Sequence, residues 1–226
     1  MQQKLIFRQA EKSDAPAILE YLLEHFFPEE PCSKALKLHI SEIEPIYESL
    51  IDRCLDFPFS TVVVTDSGDI VACLLNSIWR REDVSSDGAD YEAEEGATEN
   101  MTKFLKMLNQ CHEDFWSLSP SDIHVVLHRE ISSVSDGFKR RGIATKMLTA
   151  NMEKRKIDDF CVGGVISETS SHANQILLEK NGFKCLKEIP YSSILDSQGN
   201  QILKTDDGAQ GLRLNLKRIE HFKLLD

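Results

Sequence analysis

The chain has 226 residues, of which 41% are hydrophobic and 28% are charged, a composition typical of a folded globular domain. Its formal net charge of −11 at pH 7 argues against nucleic acid as a partner. No apolar run approaches the roughly 20 residues that span a membrane. We therefore expect one domain over residues 1–226, as a monomer or weak dimer, with no nucleic-acid or membrane partner.

The N-terminal residues lack the apolar run of a signal peptide, which favours a cytoplasmic location. The six cysteines lie far apart and form no C-x-x-C pair, so we expect reduced thiols and no metal site.

The first third of the chain alternates strand and helix signals. Residues 4–9 predict a first strand, and apolar spacing predicts helices at about 33–39 and 42–55. Pro28 and Pro31 interrupt the helical pattern, and each proline pushes the residue before it towards extended backbone. Two strands, Ser60 to Thr65 and Ile70 to Trp79, are then joined by a turn that contains Gly68.

Residues 82–99 are rich in Asp and Glu and poor in apolar side chains. Such a composition cannot bury enough apolar surface to offset the entropy of ordering the chain. The pattern predicts an acidic mobile insertion in the domain, after which a helix resumes at about 99–116.

A β-rich run at 122–134 leads into a polar turn and then a helical pattern at about 140–155. Lys139, Arg140 and Arg141 precede Gly142, and Ala144 follows it. Cations are unfavourable at a helix N-terminus unless an anion neutralises them, and the free N–H groups there bind phosphate. Small residues let a pyrophosphate approach the backbone, so this loop predicts a phosphate site.

The last third of the chain predicts the strand Phe160 to Ile166 and the helix Ser170 to Asn181, which ends at Gly182. Strands near 184–190 and 211–217 follow.

The loop Lys139-Arg140-Arg141-Gly142-Ile143-Ala144 resembles the acyl-CoA loop of the GNAT superfamily of N-acyltransferases, Gln/Arg-x-x-Gly-x-Gly/Ala. The segment from Ser171 to Phe183 looks like the second signature of that superfamily, a helix that closes in Glu-Lys-x-Gly-Phe. The resemblance implies an α/β (α+β) fold, with a mixed central sheet of about seven strands that is flanked by helices and splayed at the acetyl-CoA site.

The segment His25 to Pro31 is similar to the Phe-x-x-Asp/Glu-Glu-Pro motif of invertebrate arylalkylamine (dopamine or serotonin) N-acetyltransferases. An alkylamine has a pKa of about 10.4, so its acetylation near neutral pH requires a base. The resemblance assigns that role to Glu30. Without it, Glu30 reads as a surface carboxylate or a helix N-cap, and Glu29, His128 and His172 stay as further candidates.

The resemblance also implies an acid for the leaving thiolate, and it points to Ser170 as that catalytic residue. The partner serine of this branch is replaced by Asn174, and the tyrosine that many GNAT enzymes use is replaced by Leu178. Ser170 can equally be a helix N-cap. A thiolate whose conjugate thiol has a pKa near 8.5 is a good enough leaving group to depart without a strong acid.

The resemblance implies that acetyl-CoA, as co-substrate, lies against the end of the 122–134 strand, where a freed backbone N–H stabilises the thioester oxygen. The residues expected to bind it are Ser132, Ser133, Val134, Lys139, Arg140, Arg141, Gly142, Ile143, Ala144, Thr145, Ser171 and Asn174.

These features together predict an acetyl-CoA-dependent N-acetyltransferase that acts on a small primary amine, such as an arylalkylamine. Phe26, Phe27, Trp79 and Tyr191 are candidates for an aromatic substrate pocket. Two alternatives stay open. The acceptor can instead be a polyamine, an amino acid or a protein amine, or the fold can bind acyl-CoA without turnover.

Overall fold

Seven strands form one sheet in the order β1-β2-β3-β4-β5-β7-β6. The computed structural model describes residues 4–83, 91, 93 and 96–225. Every neighbouring pair in this sheet is antiparallel except β4 and β5, which run parallel. The strands are β1 (Leu5–Gln9), β2 (Thr61–Thr65), β3 (Ile70–Arg80), β4 (Val125–Val134), β5 (Gly164–Thr169), β6 (Lys184–Pro190) and β7 (Gly211–Arg218).

Eight α-helices connect or cover these strands in the described part of the chain. They are α1 (Ala15–Tyr21), α2 (Pro31–Leu36), α3 (Ile40–Leu55), α4 (Glu99–His112), α5 (Phe115–Leu118), α6 (Ile143–Met147), α7 (Lys154–Asp159) and α8 (His172–Lys180). Helix α1 continues into one wider turn at Leu22–Phe26 and a tight turn at Phe27–Glu29 before α2 begins.

The two faces of the sheet bury separate apolar clusters because successive strand residues point to opposite faces. Val62 and Leu75 pack with α1 to α5 on one face. Val63 and Leu74 pack with α6 on the other face, where α7 and α8 cover the neighbouring strands. The mixed seven-stranded sheet flanked by helices is the fold that the sequence predicts, and this prediction is confirmed.

The predicted helix at 140–155 is wrong, because the structure has two short helices there, α6 and α7. Gly142 adopts a left-handed backbone with φ of +75°, so α6 begins only after it. Asn151 is also left-handed, with φ of +59°, and its side-chain amide donates to Ser60 O at 3.2 Å and Thr61 Oγ1 at 2.8 Å. This anchor to the start of β2 breaks the helical pattern.

The strand predicted from Phe160 to Ile166 begins later, at Gly164. Phe160 follows α7 and its ring packs edge-on against Phe59 at 5.3 Å, so its apolar character reflects core packing and not strand pairing. The prediction from the two prolines is half right: Glu30 is extended, with ψ of 119°, but Phe27 is helical, with ψ of −46°.

The predicted acidic insertion at 82–99 falls largely outside the described residues. Residues 84–90, 92, 94 and 95 are not described. Tyr91 is described, and its N–H donates to Asn109 Oδ1 while its carbonyl accepts from Asn109 Nδ2, both at 3.0 Å. Thr98 then caps α4.

Candidate active site

An outer cleft opens between β4 and β5, where the parallel pairing stops. The two strands pair over four positions, from Val126 with Gly164 to Arg129 with Ser167. Beyond Ser167, β5 pairs with β7, whereas β4 continues beside β3 alone. The cleft holds about 1140 Å³ of space, part of it open to solvent. It is lined by residues 25–26, 29–31, 34, 129–134, 139, 167–168, 170–171, 173–174 and 206–207.

Half of the residues predicted to bind acetyl-CoA line this cleft. They are Ser132, Ser133, Val134, Lys139, Ser171 and Asn174. The Oδ1 atom of Asn174 is buried and accepts no hydrogen bond in the described structure, so a donor from a bound molecule would satisfy it. The edge of β4 that faces the cleft is likewise not covered by a strand.

The other predicted contacts do not line the cleft. Arg140, Arg141, Gly142 and Thr145 are exposed, and Ala144 is half-buried. A Cβ placed on Gly142 would meet no atom within 4 Å, so the space beside its backbone is open. The Ile143 side chain is buried against the sheet and leaves only backbone for a ligand.

Two of the three basic side chains of this loop, those of Lys139 and Arg141, already have partners within the protein. Lys139 Nζ lies 2.5 Å from Asp136 and 3.8 Å from Glu29. Arg141 donates to Gly137 O at 2.7 Å, and its guanidinium lies over the Phe138 ring. The charge of Lys139 is therefore partly neutralised by carboxylates of the protein itself.

An inner cavity lies behind the cleft, on the sheet face covered by α1 to α5. It contains about 670 Å³ of space, partly open, which is within the range of ordinary small-molecule sites. Its apolar lining is Phe26, Ile43, Ile46, Tyr47, Leu50, Tyr91, Phe104, Leu105, Leu108, Ile131 and Leu212. Its polar lining is Glu30, Ser33, Glu130, Glu168 and Ser170.

The outer cleft and the inner cavity share six lining residues, so they meet at one junction. These residues are Phe26, Glu30, Glu130, Ile131, Glu168 and Ser170. The structure thus brings together Glu30 and Ser170, which the sequence resemblance assigns as catalytic although 140 positions separate them.

Glu30 occupies two environments at once. Its carboxylate caps α2, with Oε1 accepting from Cys32 N at 3.2 Å and Oε2 accepting from Ser33 N at 2.6 Å. Glu30 is only 6% exposed, and it lines the junction. The interpretation as a surface carboxylate is therefore wrong, whereas the N-cap interpretation is right and leaves the junction position intact.

A buried network of alternating charge forms the floor of the junction. His112 Nδ1 lies 3.1 Å from Glu168, and His128 lies between Glu168 and Glu130 at 3.4 and 3.2 Å. Glu130 also accepts from Arg53, Ser77 and Tyr91, at 3.0, 2.6 and 3.2 Å. Glu130 lies two residues after His128 on β4, so both side chains point to the same face, and a bulge between β3 and β4 at Glu130 places Ile131 on that face as well.

Charge pairing decides the protonation of this network. Burial alone would lower the pKa of His128, but Glu130 and Glu168 raise it to about 9. Burial alone would raise the pKa of both carboxyl groups, but the histidines hold them well below their usual range, with Arg53 and Ser77 helping at Glu130. His128 is therefore a cation near neutral pH and cannot accept a proton there.

The remaining candidate bases are placed less favourably than Glu30. Glu29 lines the outer cleft only and lies near Lys139. His172 is exposed, and its backbone N–H donates to Asp207 at 2.7 Å. It lines neither the cleft nor the cavity.

The residues around the start of α8 take distinct positions. Ser171, not Ser170, caps the helix, because Ser171 Oγ accepts from Asn174 N at 3.3 Å. The N-cap interpretation of Ser170 is therefore wrong. Leu178 is fully buried in the apolar cluster beneath α8 and supplies no acid.

Only one of the four aromatic residues singled out in the sequence lines the inner cavity, and it is Phe26. Trp79 packs on His128, with ring centroids 4.2 Å apart, and Tyr191 and Phe27 lie outside the lining. Sequence reasoning missed Tyr47, Tyr91 and Phe104. Tyr47 and Phe104 lie in the helices predicted at 42–55 and 99–116, whereas Tyr91 lies in the acidic segment and had no signal.

Within the described residues, no group of three or more His, Cys, Asp or Glu side chains is arranged to hold a metal ion. No helix in that part of the chain has the length and apolar character needed to cross a membrane.

Comparison with known proteins identifies the fold. Arylalkylamine N-acetyltransferase 2 from Aedes aegypti superposes with a TM-score of 0.78 at 21% identity, covering 96% of this chain and 99% of that one. The Drosophila melanogaster polyamine N-acetyltransferase, which forms N-acetylagmatine, gives 0.76 at 18% identity, with coverage of 96% and 100%. Arabidopsis thaliana NAA60, in complex with acetyl-CoA, gives 0.52 at 12% identity, with coverage of 96% and 99%.

The chain therefore has the GNAT N-acetyltransferase fold, and the structures similar to it over its whole length include insect arylalkylamine N-acetyltransferases. The sequence matches no protein-family model and no curated protein. The resemblance drawn from the motifs is confirmed at the level of this fold.

Proposed function

We propose that this protein transfers an acetyl group from acetyl-CoA to a small primary amine with an apolar body, such as an arylalkylamine. The observation that carries the proposal is the junction of the two spaces. An open-edged cleft meets a mostly apolar cavity at a carboxylate, Glu30. Acetyl transfer from a thioester to a hydrophobic amine requires a site for each substrate and a base where they meet.

The cleft fits the thioester substrate. The uncovered edge of β4 offers backbone groups along residues 130–134, and Asn174 offers a buried carbonyl oxygen without a donor. Pantetheine carries amide groups that can use both. The open backbone at Gly142 leaves room for the pyrophosphate.

The cavity fits the amine. Glu130 and Glu168 are paired with cationic groups, so Glu30 is the lining carboxylate without a cationic side-chain partner among the described residues. An ammonium group is therefore attracted to Glu30, and its apolar body is accommodated by side chains such as Phe26, Tyr47 and Phe104. A diamine would place its second ammonium against the apolar lining, which favours a monoamine.

The chemistry follows from this placement. The ammonium group gives a proton to the Glu30 carboxylate, directly or through water, which frees the nitrogen lone pair. The nitrogen then attacks the thioester carbon, so that a C–N bond forms and the C–S bond breaks. CoA leaves as a thiolate, and it takes up, directly or through water, the second proton that the nitrogen loses when the amide forms. A backbone N–H of β4 stabilises the negative charge that builds on the oxygen, and such a donor contributes roughly 3 kcal/mol in other acyl-transfer sites.

The proposal is tested by following CoA release with a panel of amines. Phenylethylamines and indolylethylamines represent aromatic monoamines, and agmatine and spermidine represent cationic chains. Amino acids and a peptide complete the panel. We expect aromatic monoamines to give the highest kcat/KM. Binding of acetyl-CoA in calorimetry without CoA release from any amine would instead support a non-catalytic acyl-CoA-binding protein.

A further inference from the structure

Tyr191 is a buried tyrosine that lies near both proposed catalytic residues without lining either cavity. Its residue exposure is 2%, and it follows β6 directly. Its backbone N–H donates to Gln210 O at 2.9 Å, which fixes it beside the start of β7. The tyrosine is therefore held by the sheet while its ring reaches towards α2 and α8.

The phenol hydroxyl bridges two separate segments. It lies 2.8 Å from the carbonyl oxygen of Ser170 and 3.4 Å from Sγ of Cys32. A carbonyl can only accept and a phenol has one proton, so Tyr191 donates to Ser170. The thiol of Cys32 must then be the donor to the Tyr191 oxygen.

This bridge is continuous with the carboxylate of Glu30. The backbone N–H of Cys32 donates to Glu30 Oε1, so one residue contacts both the carboxylate and the tyrosine. Burial raises the pKa of both Cys32 and Tyr191, so the two donors keep their protons across the physiological range. The bridge does not depend on pH.

We infer that Tyr191 is a positioning residue, which sets the distance between Glu30 at the start of α2 and Ser170 before α8. Without its hydroxyl, the Ser170 carbonyl and the Cys32 thiol lose their shared partner, and the two walls of the junction can shift independently. The kinetic part of this inference rests on the proposed function, whereas the structural part does not.

The structural part is tested by hydrogen exchange in Tyr191→Phe, which removes only the hydroxyl. We expect faster exchange at the amides of Cys32 and Ser33 and at residues 171–174, with β3 and β4 unchanged. Ser193→Ala is the matched control, because Ser193 Oγ donates to Pro190 O in the same turn and reaches neither segment. Unchanged exchange at both segments would overturn the inference, even if no amine substrate were found.

The kinetic part is tested with a cycle of Tyr191→Phe and Cys32→Ala. Small displacements of reacting groups are costly, so we expect kcat to fall roughly tenfold in Tyr191→Phe, with the KM for acetyl-CoA nearly unchanged. Cys32→Ser keeps a donor and should retain most of the activity.

Because the Tyr191 hydroxyl and the Cys32 thiol belong to one series of hydrogen bonds, the double variant should have a kcat only slightly lower than that of Tyr191→Phe alone. Additive losses in the cycle, or normal kcat in folded Tyr191→Phe, would overturn the positioning role. Inactivity of the wild-type protein towards every amine would count against the proposed function only.

Discussion

The Glu30 carboxyl group both caps a helix and lines the junction, so its substitution has two separable effects. A cap contributes to the stability of α2, whereas a base contributes to turnover. Glutamine keeps one oxygen to accept a backbone N–H from α2 but has no negative charge. The two contributions can therefore be measured on one variant.

We expect Glu30→Gln to lower kcat/KM at neutral pH by ~10²–10⁴, the usual range for loss of a general base. The loss should shrink at high pH, where free amine is abundant, and the acetyl-CoA affinity should barely change. The unfolding free energy should fall by about 1 kcal/mol, because one cap bond is lost.

Glu29→Gln is the matched control. It removes the same charge at the neighbouring position, and the Glu29 side chain is not a helix cap. Near-normal kcat/KM in a folded Glu30→Gln protein would exclude Glu30 as the base.

His128 provides a second residue-scale prediction, based on stability. Its pKa is about 9 in the folded chain, above its ordinary value of 6.5. Its stabilising contribution is therefore complete below pH 6.5 and disappears as the pH rises through 9. Denaturant unfolding should show a loss of up to about 3 kcal/mol over this range.

His128→Gln should be less stable at pH 6 and should show a flatter profile from pH 6.5 to 9. His172→Gln, at an exposed position, should retain the wild-type profile. A wild-type stability that rises over this range would contradict the charge assignment. On the acid side, stability should fall as Glu130 and Glu168 become protonated, because the pKa values of both are lowered.

At the scale of elements, the sequence predicted most of the strands and helices that have a regular residue pattern. Apolar and β-branched runs bounded by turns identified the strands, and Gly182, with φ of +80°, follows the end of α8 as its position predicted. The β3–β4 bulge has no period-two signal, so the position of Ile131 on the same face as Glu130 could not be predicted. Helix α6 ends at Met147, and Asn151, four residues later, is anchored to β2 by a contact that exists only after folding.

In the candidate site, too, some residues could be predicted from local sequence and others could not. Glu30, Ser170 and the β4 edge came from local motifs. The network of His112, His128 and Glu168 joins α4, β4 and β5, and Tyr91 reaches it from a segment with acidic composition. These partners depend on strand register and helix packing, which no local pattern encodes.

The loop before α6 supports a prediction about the cofactor. Gly142→Glu places a carboxylate beside the open backbone where we expect the pyrophosphate, so calorimetry should show at least a roughly hundredfold loss of acetyl-CoA affinity. Gly142→Ala serves as the control, because it adds only a left-handed alanine, which costs about 1 kcal/mol of stability. Equal affinities of the Glu variant and the Ala variant would place the pyrophosphate elsewhere.

The whole molecule has a net charge of −11, which should attract a cationic amine over distances of about a Debye length. We expect kcat/KM for the amine to fall about two- to tenfold when salt is raised from 0.02 to 0.3 M, with kcat unchanged. Stopped-flow or steady-state assays at saturating acetyl-CoA measure this. An increase of kcat/KM with salt would mean that the surface charge does not steer the amine.

The strand order has a consequence for how the chain assembles during synthesis. Strands β1 to β4 pair with neighbours in sequence, so this meander can form early. Strand β7 lies between β5 and β6, and Asn215 on β7 donates to Ser167 O and Thr169 Oγ1 of β5. Before β7 leaves the ribosome, β5 is therefore held in the sheet only by its four parallel pairs with β4. A substitution that destabilises β7 should accordingly loosen β5 at the junction, although among the described residues β7 contributes only Leu212 to the lining.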